Sequence, residues 1–314
     1  MLTLPPPADR PTMYFIGVTT AQSSIMRLFP AWVQALGLKD ACLKGVDIGI
    51  HAPADDYRRI VQFIRDDPQS VGALVTTHKI DLYHAAHDLF DYLDPYAVQF
   101  GELSSISKSG GRLRGHAKDA ISSGLAMNTF IPVDHWKKTH AEVLILGAGG
   151  SALAISAFLA HEQFSENIPN RIHLTNRSAG RLAEAVNILA RSRVPMSFHL
   201  CPDPTLNDLI ARSLPSGSMI VNATGLGKDR PGSPVTDKVV FPKDGLIWEL
   251  NYRGSLEFLH QAQNACCERH LLIEDGWNYF VYGWTQVVAE VFHIDITNAV
   301  FDQCNNLAMQ MRNN

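Results

Sequence analysis

The chain has no apolar run long enough to cross a bilayer, and no spacing of His, Cys, Asp and Glu that suggests a zinc site. Neither a membrane nor a metal is therefore expected as a partner. Cysteine is scarce. Cys42, Cys201, Cys266, Cys267 and Cys304 are odd in number and scattered, and the adjacent pair makes no metal motif. Free thiols in a reducing cytoplasm are the expectation. Charge of one sign is also lacking: the formal net charge of −4 argues against general affinity for nucleic acid. There is no internal repeat and no low-complexity block, which sets aside solenoids. The opening Met1-Leu2-Thr3-Leu4-Pro5-Pro6-Pro7 lacks the charged-then-apolar layout of a secretory leader and reads as a loose lead-in.

What the chain does contain is an alternation of strand-like and helix-like segments over 314 residues, 46% of them hydrophobic. That length and composition predict two α/β domains with substantial cores. Strands are expected at Met13–Val18, Leu43–Ile50 and Val71–Thr76, with helices at Ser24–Leu38 and Asp55–Ile64 and from Lys79 to Leu93, where Pro95 stops the last. Ser109-Gly110-Gly111 reads as a hairpin turn, and Asp119 opens another helix. Pro132–His140 is polar and turn-rich, so the inter-domain connection is placed just before it. Further strands are expected at Val143–Leu146, Ile172–Thr175, Ser197–Leu200, Met219–Ala223, Leu246–Leu250 and Leu271–Glu274, then helices at Gly276–Val291 and Ile296–Met311.

The most specific local signal is Val143-Leu144-Ile145-Leu146 running into Gly147-Ala148-Gly149-Gly150-Ser151-Ala152 and then an apolar helical pattern. Strand, Gly-x-Gly-x-x-Ala turn and helix form the context a dinucleotide fingerprint requires. Gly147 permits the tight turn, Gly149 lets backbone approach a pyrophosphate, and Ala152 lets helix pack near sheet. The phosphates then lie at a helix N-terminus, where free N–H groups favour negative charge. About twenty residues on, NAD sites commonly carry an acidic residue for the ribose. This chain offers Asn176, Arg177 and Ser178, with Arg181 close behind. A guanidinium suits a 2′-phosphate, so the cofactor is read as NADP(H). The plainer alternative is that Arg177 caps an exposed strand end.

Two strand-to-helix junctions in the first half carry groups suited to proton transfer: Val75-Thr76-Thr77-His78-Lys79 and Gly115-His116-Ala117-Lys118-Asp119. Carbonyl reduction needs a proton donor at the oxygen, and alcohol oxidation needs the reverse; lysine serves both when burial or neighbours ease loss of its proton. Spacing alone equally allows Lys79 as a solvated helix start and Asp119 as a helix cap.

These motifs, in this order, resemble the shikimate dehydrogenase family over nearly the whole chain. Ile16-Gly17-Val18 with Ser23-Ser24 resembles the opening strand and serine loop of its substrate domain. Val75 to Lys79 resembles a shortened Val-Thr-x-Pro-x-Lys, and Gly115 to Asp119 resembles Gly-x-Asn-Thr-Asp. The resemblance implies Lys79 and Asp119 as catalytic residues, with Ser23, Thr76, Ser104 and Gln286 toward substrate. Gly147, Ala148, Gly149, Gly150 and Ser151, then Asn176, Arg177, Ser178 and Arg181, would hold the cofactor. Asn222-Ala223-Thr224 resembles the strand end bordering the nicotinamide, and Asp275-Gly276 opens the helix that returns to the substrate domain. The implied fold is α/β: an N-terminal substrate domain (1–130, completed by helices in 276–314) and an NADP-binding Rossmann domain (131–275).

The departures cluster on ring recognition. The second loop serine is Ile25, the asparagine of Gly-Ala-x-Asn-Thr falls on Ser104, Asn-Thr before the aspartate is Ala117-Lys118, and the glutamine after Gly276 falls on Gly283, with Gln286 one turn further. Sites built around substrate hydroxyls reject analogues because unmatched polar groups are costly. The expectation is therefore NADP-linked hydride transfer on a cyclic hydroxy or keto acid other than shikimate. The alternatives are true shikimate or quinate turnover, or a non-catalytic nucleotide or metabolite sensor on the same fold. A cytoplasmic monomer or homodimer taking a small-molecule substrate completes the reading.

Overall fold

The computed structural model describes residues 2–164, 166–228 and 230–312. It divides the chain into two units, Met1–Lys118 with Gly283–Asn314, and Asp119–Tyr282.

The first unit contains β1 (Thr12–Gly17), α1 (Ile25–Ala35), β2 (Cys42–Asp47), α2 (Ala54–Asp66), β3 (Ser70–Val75), α3 (Lys79–Ala86), β4 (Tyr92–Leu93), α4 (Pro95–Phe100), β5 (Ser105–Ser109) and β6 (Arg112–His116). They build one sheet in the order β2-β1-β3-β5-β6-β4. β1 runs parallel to β2 and β3, and β5 is antiparallel to both β3 and β6, so this sheet is mixed. The α2 sequence shows why it forms and docks. Tyr57, Ile60, Val61 and Ile64 make one buried stripe, while Asp55 and Asp56 in the first turn and Arg65 in the last match the helix dipole. Adjacent residues of β1 serve opposite faces: the Tyr14 ring packs on Phe63 of α2, and the Phe15 ring packs edge-on against Trp284 at 5.0 Å.

One expected helix is shorter than its pattern. From Lys79 it ends at Ala86 rather than near Leu93. The backbone beyond is captured by β6, since Asp91 N donates to Leu113 O at 2.9 Å and Asp94 N to Gly115 O at 3.0 Å. Pro95 does not stop a helix but starts one. It occupies the first turn of α4, where a missing N–H costs nothing, and Asp94 caps that turn through Ala97 N at 2.6 Å.

The second unit contains α5 (Asp119–Met127), α6 (His135–Thr139), β7 (Val143–Leu146), α7 (Gly150–Leu159), β8 (Ile172–Asn176), α8 (Ala179–Ile188), β9 (Met196–Leu200), α9 (Pro204–Ser213), β10 (Met219–Asn222), β11 (Leu246–Glu249), α10 (Glu257–Arg269), β12 (Leu272–Glu274) and the start of α11 (Trp277–Phe292). All its strand pairs are parallel, in the order β12-β11-β10-β7-β8-β9. The chain winds outward from β7 one way, then returns to β10 and winds the other way. This is the doubly wound nucleotide-binding arrangement, with its switch point between β7 and β10. Every residue of β7 is buried. Val143 and Ile145 join the layer containing α5, α7 and α8, and Leu144 and Leu146 join the layer containing α9 and α10. The expected polar connection around residues 132–140 folds into α6, with Trp136 in the core.

The rest of α11 and α12 (Asn298–Arg312) cluster with the first unit, as the returning helices predict. There Trp32 Nε1 donates to Cys304 O at 2.9 Å, and Phe29 lies against Phe292. All five cysteines are free thiols. Among the described residues no helix is long and apolar enough to cross a membrane, and no cluster of three metal-ligating side chains forms.

Candidate active site

In the second unit the glycine turn lies at the switch point. Gly147 N donates to Thr175 O at 2.9 Å, and Ala223 N to Leu146 O at 2.9 Å, so the turn is pinned between the ends of β8 and β10. Gly147 has φ +105°, and a Cβ there would meet Ala223 O at 2.9 Å and Ala223 C at 3.0 Å. Only glycine fits. Gly149 differs: a Cβ there would meet nothing within 4 Å. It caps α7 without any side-chain bond, and the first-turn N–H groups of a helix lack intrahelical acceptors. Donors and room at a helix N-terminus fit a pyrophosphate.

The next strand end presents Asn176, Arg177 and Ser178. The last two are exposed, and Asn176 Nδ2 donates to Ser178 O at 3.4 Å. Arg181 is placed differently from a free phosphate reader. Its Nε donates to Ala148 O at 3.0 Å and its guanidinium also pairs with Glu184, so it braces the glycine turn. Tyr279 OH donates to Ser151 Oγ at 3.4 Å.

Asn222, Ala223 and Thr224 follow β10. Asn222 is fully buried: Nδ2 donates to Glu249 Oε2 at 2.7 Å, and Oδ1 accepts from Thr224 N and Oγ1 at 3.1 and 2.7 Å. Glu249 also accepts from Asn251 N at 2.8 Å, and Asn251 Nδ2 donates to Leu226 O at 2.9 Å. Gly276 N donates to Asn251 O at 3.1 Å, tying the start of α11 to the same network. Burial pushes the Glu249 carboxyl up to about 7, against the hydrogen bonds from Asn251 and Asn222, which favour its charged form.

This shift carries a pH prediction. The folded-state pKa lies above the ordinary value of 4.5, so the folded protein holds the proton more tightly than the unfolded chain. The stability so gained is full below about 4.5 and is lost as pH rises through about 7. Over that window the loss is roughly 3 kcal/mol. The difference between wild-type and Glu249→Gln unfolding free energies, measured from pH 5 to 8 by denaturant titration, should shrink in the wild type's disfavour as pH rises. A pH-independent difference would refute the assignment.

In the first unit one edge of the sheet gathers the candidate substrate residues. Thr76 N donates to Ile16 O at 3.1 Å, Ile48 N to Gly17 O at 2.9 Å, Val75 N to Ser104 O at 2.9 Å and Ser104 N to His116 O at 2.9 Å. The segments after β1, β2, β3 and β6 and before β5 thus meet at the carboxyl edge of the parallel strands, where α/β sheets place ligands. Lys79 opens α3 there, half-buried, and its carbonyl accepts from Leu103 N at 3.0 Å. Gly17 packs closely between Thr20 and Thr76, and Thr20 binds Asp47 Oδ1 through both N and Oγ1. Ser23 and Gln286 are half-buried.

Ser104 is buried and its hydroxyl is engaged inside the protein: it accepts from Lys118 N at 2.7 Å and donates to His116 O at 3.4 Å. Lys118 extends to Glu290 of α11, Nζ to Oε2 2.6 Å. Glu290 Oε1 also meets His116 Nε2 at 3.3 Å and accepts from Ser107 Oγ at 3.3 Å. Burial pushes His116 down to about 4 despite the carboxylate beside it. No local spacing announces this cluster, because Lys118 and Glu290 lie 172 residues apart. Asp119 begins α5 in the second unit, directly after Lys118.

No family model matches the chain. Curated proteins do. It is 25% identical over 232 residues to the shikimate dehydrogenase (NADP(+)) of Streptococcus thermophilus, spanning 74% of this chain and 76% of that protein. It is 28% identical over 243 residues to that of Paramagnetospirillum magneticum, spanning 76% and 77%. Among solved structures, the shikimate 5-dehydrogenase of Listeria monocytogenes, in complex with shikimate and NAD, superposes with TM-score 0.73 at 16% identity, over 98% of this chain and 99% of that one.

Proposed function

We propose, since the chain belongs to the shikimate dehydrogenase-like family, that it is an NADP(H)-dependent oxidoreductase moving hydride reversibly to or from a cyclic hydroxy or keto acid. The observation that carries this reading is the Gly147–Gly150 turn at the β7/β10 switch point, open on the side of Gly149 and backed by an uncapped helix. When bound, the dinucleotide supplies the carbon that gives or takes hydride. Gly147, Ala148, Gly149, Gly150 and Ser151 hold its phosphates, and Arg181 keeps the turn in shape through Ala148 O. Asn176, Arg177 and Ser178 read the 2′-phosphate, while Asn222, Ala223, Thr224 and Gly276 border the nicotinamide. Lys79 gives or takes the proton at the substrate oxygen, and Asp119 orients it and binds a hydroxyl. Ser23, Thr76 and Gln286 complete the substrate role of the first unit, while the hydroxyl of Ser104, expected there from the family pattern, is taken up inside the protein by Lys118 N and His116 O.

Arg177 tests the cofactor assignment. Losing a charge-assisted bond to phosphate costs about 1.5–3 kcal/mol. Arg177→Ser should therefore raise the NADPH Kd roughly tenfold or more and leave NADH binding unchanged. Equal Kd values for NADPH in mutant and wild type would remove Arg177 from the site.

The curated relatives, named for shikimate, favour that ring acid and the closely similar quinate only by extension. A second reading, another ring acid, is favoured by the internal engagement of Ser104 and Lys118, which leaves fewer polar groups to match shikimate hydroxyls. Following NADPH absorbance with shikimate, quinate and other cyclic hydroxy and keto acids decides between them. Turnover on shikimate or quinate supports the first reading, and turnover only on other rings the second. Tight binding without oxidation or reduction of any of them would overturn both in favour of a sensor.

A further inference from the structure

Behind the turn that follows β10 stands a carboxylate sealed from solvent. Glu249 is 0% exposed, and every hydrogen bond it makes among the described residues is one it accepts: Oε2 from Asn222 Nδ2 at 2.7 Å and Oε1 from Asn251 N at 2.8 Å. Through these two bonds it holds three segments. Asn222 Oδ1 accepts from Thr224 N and Oγ1, and Thr224 Oγ1 accepts in turn from Leu226 N at 3.2 Å, which shapes the turn 222–226. Leu250 N donates to Asn222 O at 3.3 Å, fastening the end of β11. Asn251 O accepts from Gly276 N, and a Cβ on Gly276 would overlap the Leu250 carbonyl, so the start of α11 lies directly on the same edge. All of these residues belong to the second unit.

No acceptor in this set is spare. Leu226 O accepts from the side-chain amides of both Asn222, at 3.4 Å, and Asn251, at 2.9 Å. Asn222 Oδ1 accepts twice from Thr224. A carbonyl oxygen has two lone pairs, so both oxygens are filled. A proton on Glu249 adds a donor to this closed set, and it gains an acceptor when one of the two amides turns over. With Asn222, Oδ1 then faces the carboxyl, and Thr224 N and Oγ1 lose their acceptor. With Asn251, Leu226 O loses its 2.9 Å bond. Either way the turn 222–226 gives up a tie, and a buried donor left unmatched is costly. The ionised carboxylate therefore specifies one orientation of both amides and, with it, one shape of the turn.

We propose that Glu249 is a positioning residue for the nicotinamide half of the cofactor: ionised, it fixes the turn 222–226 and the start of α11 in the shape that takes the ring, and protonated, it releases that shape. The proposal rests on the reading that Asn222, Ala223, Thr224 and Gly276 border the nicotinamide. Burial pushes the carboxyl up to about 7, and Asp275, the charged group facing it from ahead of α11, adds to the rise. Above about 7 the carboxylate holds the turn; as pH falls through about 7 it takes up a proton and the ring's part of the binding is lost. By linkage, the bound ring favours the ionised form in return.

The test compares two ligands that share everything but the ring and its ribose link: NADPH and 2′-phospho-ADP-ribose. Their 2′-phosphates titrate alike and cancel in the ratio of the two Kd values. The reduced ring is neutral, so charge attraction to Glu249 does not imitate the effect. In the wild type, NADPH should lose on the order of tenfold relative to the fragment between pH 8 and pH 6, the worth of one or two hydrogen bonds. Glu249→Gln, neutral at every pH, should show the weakened ratio already at pH 8 and no pH dependence. Amide exchange of the unliganded protein at pH 8 reads the turn itself: Thr224 N–H should exchange faster in Glu249→Gln, with Gly147 N–H unchanged. Unchanged Thr224 exchange and a wild-type ratio flat across pH would overturn the role of Glu249 alone. Faster exchange with that same flat ratio would instead overturn the reading that the turn borders the ring. Equal weakening of both ligands in the variant would leave Glu249 a structural residue only and overturn the proposal.

Discussion

Lys79→Ala is expected to lower kcat by about 10³-fold or more while leaving the NADPH Kd within error of wild type. The size follows from what a positioned acid/base group contributes, 10²–10⁴-fold. The selectivity follows from place. Lys79 opens α3 at the carboxyl edge of the first sheet, whereas the glycine turn belongs to the second unit. Removing the amine also removes little packing, since the side chain is only half-buried at a helix start. A melting temperature close to wild type should accompany the lost rate. Near-wild-type turnover would mean that another group moves the proton.

The second large effect is at Gly147, and its control is two residues away. Gly147→Ala places a methyl 2.9 Å from Ala223 O on backbone that needs φ +105°. Ala223 has little freedom to yield, because its N–H is bonded to Leu146 O. Strain of about 1–3 kcal/mol is expected, with NADPH binding weakened on the order of 100-fold as the turn rearranges. Gly149→Ala meets nothing in the protein, so stability should hold while a methyl intrudes where phosphate approaches backbone. Calorimetry paired with NADPH titration reads both. If Gly149→Ala binds as wild type, the open side of the turn does not face the cofactor.

The nucleotide half of the fold was legible because its signals are local. A fully apolar strand, a glycine turn and a helix follow one another within 17 residues, from Val143 to Leu159. Parallel strands buried on both faces also leave little ambiguity of type. Legibility failed where distant backbone decides. The segment after Ala86 reads as helix, yet β6 captures it through Leu113 and Gly115. Arg181 reads as a phosphate ligand by position in the motif, but its bond to Ala148 O spans 33 residues and no local pattern encodes it. The substitutions Ser104 and Lys118 were visible as departures from the family pattern. What they do instead was not, because Glu290 reaches them from another part of the chain.

The first unit is discontinuous, and this matters during synthesis. Its sheet and α1 are complete by residue 118, but Trp284, Phe292 and the Cys304 carbonyl, which cover Phe15, Phe29 and Trp32, arrive only after 164 further residues (119 to 282). At about 5–20 residues per second, ribosomes need roughly 10–30 s to supply them. Throughout that interval the nascent N-terminal half carries bare aromatic surface, while the intervening Rossmann segment emerges whole and is free to fold first. Vectorial translation thus makes the earlier-made half the later one to mature.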